Sequence, residues 1–77
     1  MNIVVKKDFR HNGIGFILLE NLINHSKELN IKTITLEVNE NNLSAIRLYD
    51  KFSFDKLGIR KNYYDGKSDA IIMSKKL

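Results

Sequence analysis

A glycine-containing turn between a short β-branched run and a long amphipathic segment constrains the fold of this chain most strongly. Residues 2–6 predict a strand, and Gly13 and Gly15 give the backbone freedom at the bend that follows. Apolar side chains then recur at three- and four-residue spacing from Ile14 to Leu29, which predicts a helix with one buried face. The residues assigned to that face are Ile14, Ile17, Leu18, Leu22 and Ile23. This order predicts the first part of a parallel, right-handed βαβ unit.

The clearest predicted strand is Ile31–Val38, because its polar and apolar residues alternate. Asn30, directly before it, is suited to a left-handed conformation that would end the first helix. Glu37 falls on the polar face of the strand. The opposite face carries Ile34, Leu36 and Val38, and it is the face predicted to pack in the core.

A second helix and a hairpin complete the predicted elements. Either Asn41 or Asn42 can cap a helix over roughly residues 43–52. The predicted hairpin strands are Phe54–Arg60 and Ser68–Ser74, and the loop between them is Lys61–Lys67, which contains an Asp-Gly pair. The resulting order is βαβαββ. It predicts an α/β (α+β) fold with a mixed sheet and two helices.

Size and composition narrow the class of protein. The chain has 77 residues, which predicts a single domain near the lower limit for a self-sufficient core, and it has no Cys to form disulfides or thiolate metal sites. No apolar run approaches the roughly 18–20 residues that span a bilayer. The net charge is +4, but the 13 Lys and Arg residues are scattered, without interleaved stacking aromatics. A cytoplasmic protein is therefore predicted, with neither membrane nor nucleic acid as a partner.

The chemistry of the first turn points to phosphate. A helix N-terminus offers free N–H donors, and glycines let a phosphate approach the backbone closely. The turn is not the dinucleotide fingerprint, because Leu18 occupies the position of the last glycine, and it lacks the lysine of a P-loop. Taken alone, the motif is equally compatible with an ordinary glycine-containing turn.

An ordered set of residues along the whole chain makes the interpretation specific. The set resembles the acetyl-CoA half of GNAT-type N-acetyltransferases, closest to the ribosomal-protein-alanine (RimI-like) branch. The matching positions are Val5, Arg10–Gly15, Leu36-Glu37-Val38, Asn42, Ala45-Ile46, Leu48-Tyr49, Phe54, Arg60, Asn62-Tyr63-Tyr64 and Asp69–Met73. The resemblance implies a partial GNAT fold, with residues 1–77 forming one truncated domain that lacks the N-terminal half.

The resemblance also implies roles for individual residues, with acetyl-CoA as co-substrate and no metal. Glu37 would be the base that deprotonates the acceptor amine, and Tyr49 the acid that protonates the departing thiolate. The acceptor would contact Arg60, Tyr63 and Tyr64. The residues implied to bind acetyl-CoA are Ile3, Val4 and Val5 at the pantetheine arm, Arg10, His11, Asn12, Gly13, Ile14 and Gly15 at the pyrophosphate, and Asn42 in the same cleft.

Each assignment has a structural alternative. Glu37 is alternatively a solvated carboxylate at a strand end, Tyr49 a core tyrosine and Asn42 only a helix cap. Tyr63 and Tyr64 are alternatively hairpin aromatics that cover the edge of the core. His11 is suited to general base chemistry, although a phosphate-adjacent or surface role is the simpler interpretation.

Two departures from the family pattern bear on function and stability. Asn39 stands where the family has Arg, which removes a positive charge near the predicted site, and Ser53 stands where the family has Gly at the end of the second helix. If Ser53 is left-handed, the serine costs roughly 1 kcal/mol. The strand at Ile3–Val5 would also present an unpaired edge without the missing half. We therefore expect self-association, or pairing with a separate N-terminal half.

The resemblance predicts acetyl transfer to a protein N-terminal α-amine, such as that of a ribosomal protein. The alternative is a non-catalytic acetyl-CoA-binding module or subunit that lacks a complete acceptor site. A basic nucleic-acid-binding module is a third possibility, disfavoured because the chain offers neither a recognition helix nor a stacking platform.

Overall fold

The computed structural model describes residues 1–6 and 14–77 as a four-stranded mixed sheet with two helices. The elements are β1 (Asn2–Val5), α1 (Ile14–Glu28), β2 (Thr33–Asn39), α2 (Leu43–Lys51), β3 (Asp55–Tyr64) and β4 (Ser68–Lys76). The strand order is β1-β2-β4-β3, with β1 parallel to β2 and the other pairs antiparallel. The predicted order and the mixed sheet are confirmed. Neither helix of the described residues is long and apolar enough to cross a membrane.

Both helices pack on one face of the sheet, where they enclose the core. Side chains alternate along β2, so that Ile34, Leu36 and Val38 point into the core as predicted. Leu36 lies opposite Met73 of β4, and both are almost fully buried. The helices and the segment after α2 contribute Leu19, Ile23, Ala45, Tyr49 and Phe54 to the same cluster.

The buried face of α1 agrees with the predicted one only in part. Leu19, Ile23 and Ser26 are buried, whereas Ile17 is 58% exposed and Leu18 is 47% exposed. Ile23 and the partly buried Leu22 pack in the core as predicted. The placement of Ile17 and Leu18 was wrong, because almost every residue from Ile14 to Leu19 is apolar and residue spacing there fits more than one helix face. Contact with the sheet selects the face that carries Leu19 and Ile23.

Both helices end in the same hydrogen-bonding pattern around a left-handed residue. Asn30 has φ of 58° and Ser53 has φ of 64°. In each case the backbone N–H of the left-handed residue donates to the carbonyl three residues before it. The N–H of the following residue donates to the carbonyl five residues before that residue, and the two bonds together form the Schellman motif. The predicted helix stop at Asn30 is confirmed, and the condition attached to Ser53 is met.

We expect Ser53→Gly to raise the free energy of unfolding by about 1 kcal/mol, because glycine adopts a positive φ without steric cost. Ser53 is exposed, so no packing is lost. The matched control is Asn30→Gly, where the gain should be smaller because asparagine tolerates this conformation better. Urea denaturation of the three proteins measures both differences. Equal gains, or a loss at Ser53, would contradict the strain argument.

The hairpin is longer than predicted. β3 continues to Tyr64, so Tyr63 and Tyr64 belong to a strand, and the predicted loop over Lys61–Lys67 is wrong. The turn proper centres on Asp65 and Gly66, which both have positive φ, and the N–H of the next residue bonds to the Tyr64 carbonyl. The pairing of β3 with β4 shifts register between Arg60 and Tyr64, and this irregular stretch extends the strand. Residue patterns do not indicate such a shift.

Candidate active site

The candidate site lies where β2 runs past the end of β1. The parallel register starts at Asn2 with Thr33 and ends at Val5 with Leu36, while β2 continues to Asn39. Ile3, Val4 and Val5, predicted to contact the pantetheine arm, therefore lie beside the start of this overhang. Glu37 is the first residue of β2 beyond the last pair with β1.

Glu37 is a buried carboxylate with little compensation. It points away from the helix-packed face, opposite Ile72 of β4, and is only 8% exposed. Its Oε1 lies 3.7 Å from Arg60 Nη1, and its Oε2 is buried without a hydrogen-bond partner among the described residues. The alternative of a solvated strand-end carboxylate is therefore wrong. The structure thus places an enclosed carboxylate where the pairing of β1 with β2 ends.

Arg60 connects this carboxylate to the two hairpin tyrosines. Its guanidinium carbon lies 5.0 Å from the centroid of the Tyr63 ring, within cation–π range. The rings of Tyr63 and Tyr64 meet edge to face, with 5.1 Å between centroids. The three residues predicted to contact the acceptor thus form one group next to Glu37, and Arg60 and Tyr63 are partly open to solvent.

Tyr49 reaches β2 from the opposite face. It lies on α2, is 1% exposed, and its ring centroid is 5.9 Å from that of Phe54. The ring belongs to the core cluster that holds Leu36 and Val38, the two neighbours of Glu37 in β2. The two predicted catalytic side chains therefore flank the same short stretch of β2 from its two sides.

Asn42, rather than Asn41, is the residue that caps α2. Its Oδ1 accepts from the backbone N–H of Ala45 and from the Ser44 hydroxyl, at 3.2 Å in both cases. This cap fixes the start of the helix that carries Tyr49. Its role in acetyl-CoA binding stays a prediction.

The predicted pyrophosphate turn falls mostly outside the described residues. Arg10, His11, Asn12 and Gly13 lie there, as does the side chain of Ile14. α1 begins at Ile14, and Gly15 is buried in its first turn. A helix N-terminus at this position is what the phosphate prediction requires.

Asp69 was not predicted as a site residue, yet it holds three segments together. Its Oδ1 accepts from the N–H of Asn62 at 2.9 Å, and its Oδ2 lies 3.4 Å from Lys61 Nζ. Its own N–H donates to Glu40 Oε2 at 2.7 Å, and its carbonyl accepts from the Glu40 N–H at 3.0 Å. The Asn62 N–H, helped by the Lys61 ammonium, lowers the pKa of Asp69 against the opposing effect of desolvation. No local spacing signals such a contact, since it depends on the irregular hairpin register.

We expect the stability difference between wild type and Asp69→Asn to be present at neutral pH and to disappear in acid. The folded-state pKa of Asp69 lies below its unfolded value, so the carboxylate stabilises the fold above the ordinary value of about 3.9. That contribution is lost as the pH falls through the lowered folded-state pKa. Urea midpoints measured across this range check the prediction. If the stability difference persists at the lowest pH, it arises from packing rather than from the charge of Asp69.

Comparison with known proteins decides the family. The family model described as acetyltransferase (GNAT) matches residues 1–54. This chain belongs to the GNAT acetyltransferase family. A curated relative, the [ribosomal protein bS18]-alanine N-acetyltransferase of Escherichia coli K12, is 43% identical over 76 residues, which cover 95% of this chain and 51% of that protein. The predicted relation to the RimI-like branch is confirmed, and the chain spans about half the length of the curated relatives it matches.

Solved structures agree on the GNAT fold. The crystal structure of the Escherichia coli ribosomal-protein-S18-alanine N-acetyltransferase matches with a TM-score of 0.82 at 37% sequence identity. The match covers 97% of this chain and 54% of that one. A crystal structure of the NatC complex bound to Gag peptide and CoA has a TM-score of 0.83 at 26% identity, covering 99% of this chain and 50% of that one. The predicted partial GNAT fold is confirmed.

Proposed function

We propose that this chain carries the acetyl-CoA side of an N-acetyltransferase that acts on a protein N-terminal α-amine, such as that of a ribosomal protein. The observation that carries the proposal is the buried carboxylate of Glu37, one oxygen of which has no partner in the described part of the chain, at the point where β2 passes β1. The names of the relatives support the reaction and the acceptor class. The NatC structure with CoA bound supports acetyl-CoA as the co-substrate.

In the proposed reaction, Glu37 removes a proton from the acceptor ammonium, directly or through a water molecule. The neutral amine then attacks the thioester carbonyl carbon, and the nitrogen loses its second proton to water as the tetrahedral intermediate forms. Collapse of that intermediate breaks the C–S bond and leaves the amide. The Tyr49 hydroxyl gives its proton to the departing sulfur and is reprotonated from solvent. Glu37 releases the proton it gained to solvent, so that both residues return to their starting states.

The position of these two side chains supports the assignment. Glu37 and Tyr49 approach β2 from opposite faces of the sheet, and β1 no longer pairs with β2 at this level. A thioester between the two strands would therefore have the base on one side and the acid on the other.

The acceptor side of the proposal rests on Arg60, Tyr63 and Tyr64. These residues are linked to Glu37 by the contact of Arg60 with Oε1. A partly exposed tyrosine offers a flat apolar surface and a hydroxyl to a peptide backbone. We assign them to the acceptor peptide rather than to acetyl-CoA.

The test combines calorimetry with mass spectrometry. Acetyl-CoA should bind with measurable heat, and a peptide that begins with Ala should gain one acetyl group, whereas the same peptide with a blocked N-terminus should not. Tyr49→Phe keeps the packing of the ring and removes the acid, so it should slow transfer while acetyl-CoA still binds. Binding without transfer to any peptide would favour the alternative of a non-catalytic acetyl-CoA-binding module.

The proposed partner surface is the edge of β1. Within the described residues, β1 has one neighbouring strand, β2, so its other side is an edge. We propose that a second copy or a separate N-terminal half pairs there in the cytoplasm. Sedimentation velocity over a range of concentrations tests this, and a concentration-independent monomer would contradict self-association.

A further inference from the structure

We propose that Asp69 is a positioning residue for the acceptor side of the site. It holds the irregular end of β3 so that Arg60 stays between Glu37 and Tyr63. Its effect on turnover rests on the proposed function, whereas its effect on the geometry does not.

The irregularity is a bulge that Asp69 stabilises. Arg60 pairs with Ala70 and Tyr64 pairs with Ser68, so three residues of β3 face Asp69 alone on β4. Asn62, in the middle of the three, is left-handed with φ of 51°. Asparagine adopts this conformation at a small cost, so one hydrogen bond is enough to fix it. The Asp69 carboxylate supplies that bond by accepting the Asn62 N–H at 2.9 Å.

The other contacts of Asp69 fix the bulge to the end of β2. Its backbone exchanges two hydrogen bonds with Glu40, which follows β2 directly. Asn39, the last residue of β2, adds a bond from its Nδ2 to the Ser68 hydroxyl at 3.1 Å. These hydrogen bonds fix the position of the bulge relative to β2, because Asn39 and Glu40 lie two and three residues after Glu37 in the chain.

Arg60 transmits this register to the base. It directly precedes the bulge and lies 3.7 Å from Glu37 Oε1 and 5.0 Å from the Tyr63 ring centroid. Its side chain is 54% exposed, so these two contacts, rather than surrounding packing, define its position. Without the Asp69 acceptor, the Asn62 N–H loses its partner and the left-handed residue relaxes. Tyr63 then moves off Arg60, although Asp69 itself touches neither the acceptor nor Glu37.

The experiment compares Asp69→Ala with two controls. Asp69→Asn retains a side-chain oxygen for the Asn62 N–H, and Lys61→Ala removes only the ion pair. By NMR, Asp69→Ala should lose the nuclear Overhauser contacts between Arg60 and the Tyr63 ring and should shift the Glu37 side-chain carbon, whereas both controls should keep them. In turnover, kcat/KM for the Ala peptide should fall by up to about 10²-fold in Asp69→Ala, as expected for a small misplacement of substrate-positioning groups, with the KM for acetyl-CoA unchanged.

A folded Asp69→Ala protein that retains the Arg60–Tyr63 contacts would overturn the proposal. If that variant does not fold, the same comparison is made in an Asn62→Gly background. Glycine adopts the left-handed conformation without strain, so the comparison then tests only the hydrogen bond from the N–H of residue 62 to Asp69. If wild type transfers no acetyl group, the proposed function fails, while the NMR comparison still decides the role of Asp69. If wild type is active but Asp69→Ala behaves like its controls, the positioning role alone fails.

Discussion

Replacing Glu37 by Gln is expected to lower kcat for acetyl transfer by about 10²–10⁴-fold, the range for loss of a positioned general base. The amide has nearly the same shape as the carboxylate but cannot take the proton of the acceptor ammonium. Binding of acetyl-CoA should change little. Release of CoA in the presence of an Ala peptide measures the first effect, and calorimetry measures the second.

The same substitution separates catalysis from folding. Within residues 1–6 and 14–77, Glu37 is buried, its Oε2 has no hydrogen-bond partner and its Oε1 forms an ion pair with the half-exposed Arg60. Removing the charge therefore relieves desolvation and loses only a modest interaction. We expect the free energy of unfolding of Glu37→Gln to equal or exceed that of wild type. Glu28→Gln, on the exposed end of α1, is the matched control and should change neither quantity. A robust rate in Glu37→Gln would remove Glu37 from the mechanism.

Leu36→Ala is expected to lower the free energy of unfolding by about 2–5 kcal/mol, the usual cost of truncating a buried leucine. Leu36 is fully buried in the core cluster and pairs with Val5 on one side and Met73 on the other. A domain of this size is stable by about 4–12 kcal/mol, at about 0.05–0.15 kcal/mol per residue. The loss is therefore a large share of the total.

Leu57→Ala is the control for this truncation, because Leu57 lies on β3 and is 70% exposed. Its effect should stay within about 0.5 kcal/mol. Urea denaturation with equal slopes for the three proteins gives both differences. Similar losses at the two positions would mean that the sheet does not form the described core. Saturating acetyl-CoA should restore part of the stability of Leu36→Ala by mass action if the ligand binds the folded state.

Features with a local cause were predictable from the sequence. Alternation along β2 placed Leu36 in the core and Glu37 on the other face, because side chains of a strand alternate. The left-handed Asn30 and the cap at Asn42 follow from side chains that suit helix ends. The residue pattern of the GNAT family brought Glu37 and Tyr49 together as candidates.

Features that depend on contacts between distant segments were not predictable. The apolar run at the start of α1 fits several faces, and only the sheet selects Leu19 over Leu18. The bulge of β3 depends on Asp69, seven residues from Asn62 along the chain and across the hairpin. The burial of Glu37 likewise follows from packing rather than from its position at a strand end.

The strand order has a consequence for how the molecule assembles. β4 follows β3 in the chain but lies between β3 and β2 in the sheet. During synthesis, β3 therefore leaves the ribosome before β4, the strand that connects it to β2. Ile72 and Arg60 can enclose Glu37 only once β4 has inserted. The non-local pairing of β2 with β4 should therefore be a late step that limits the folding rate. The environment that buries Glu37 is therefore complete only after the sheet has closed.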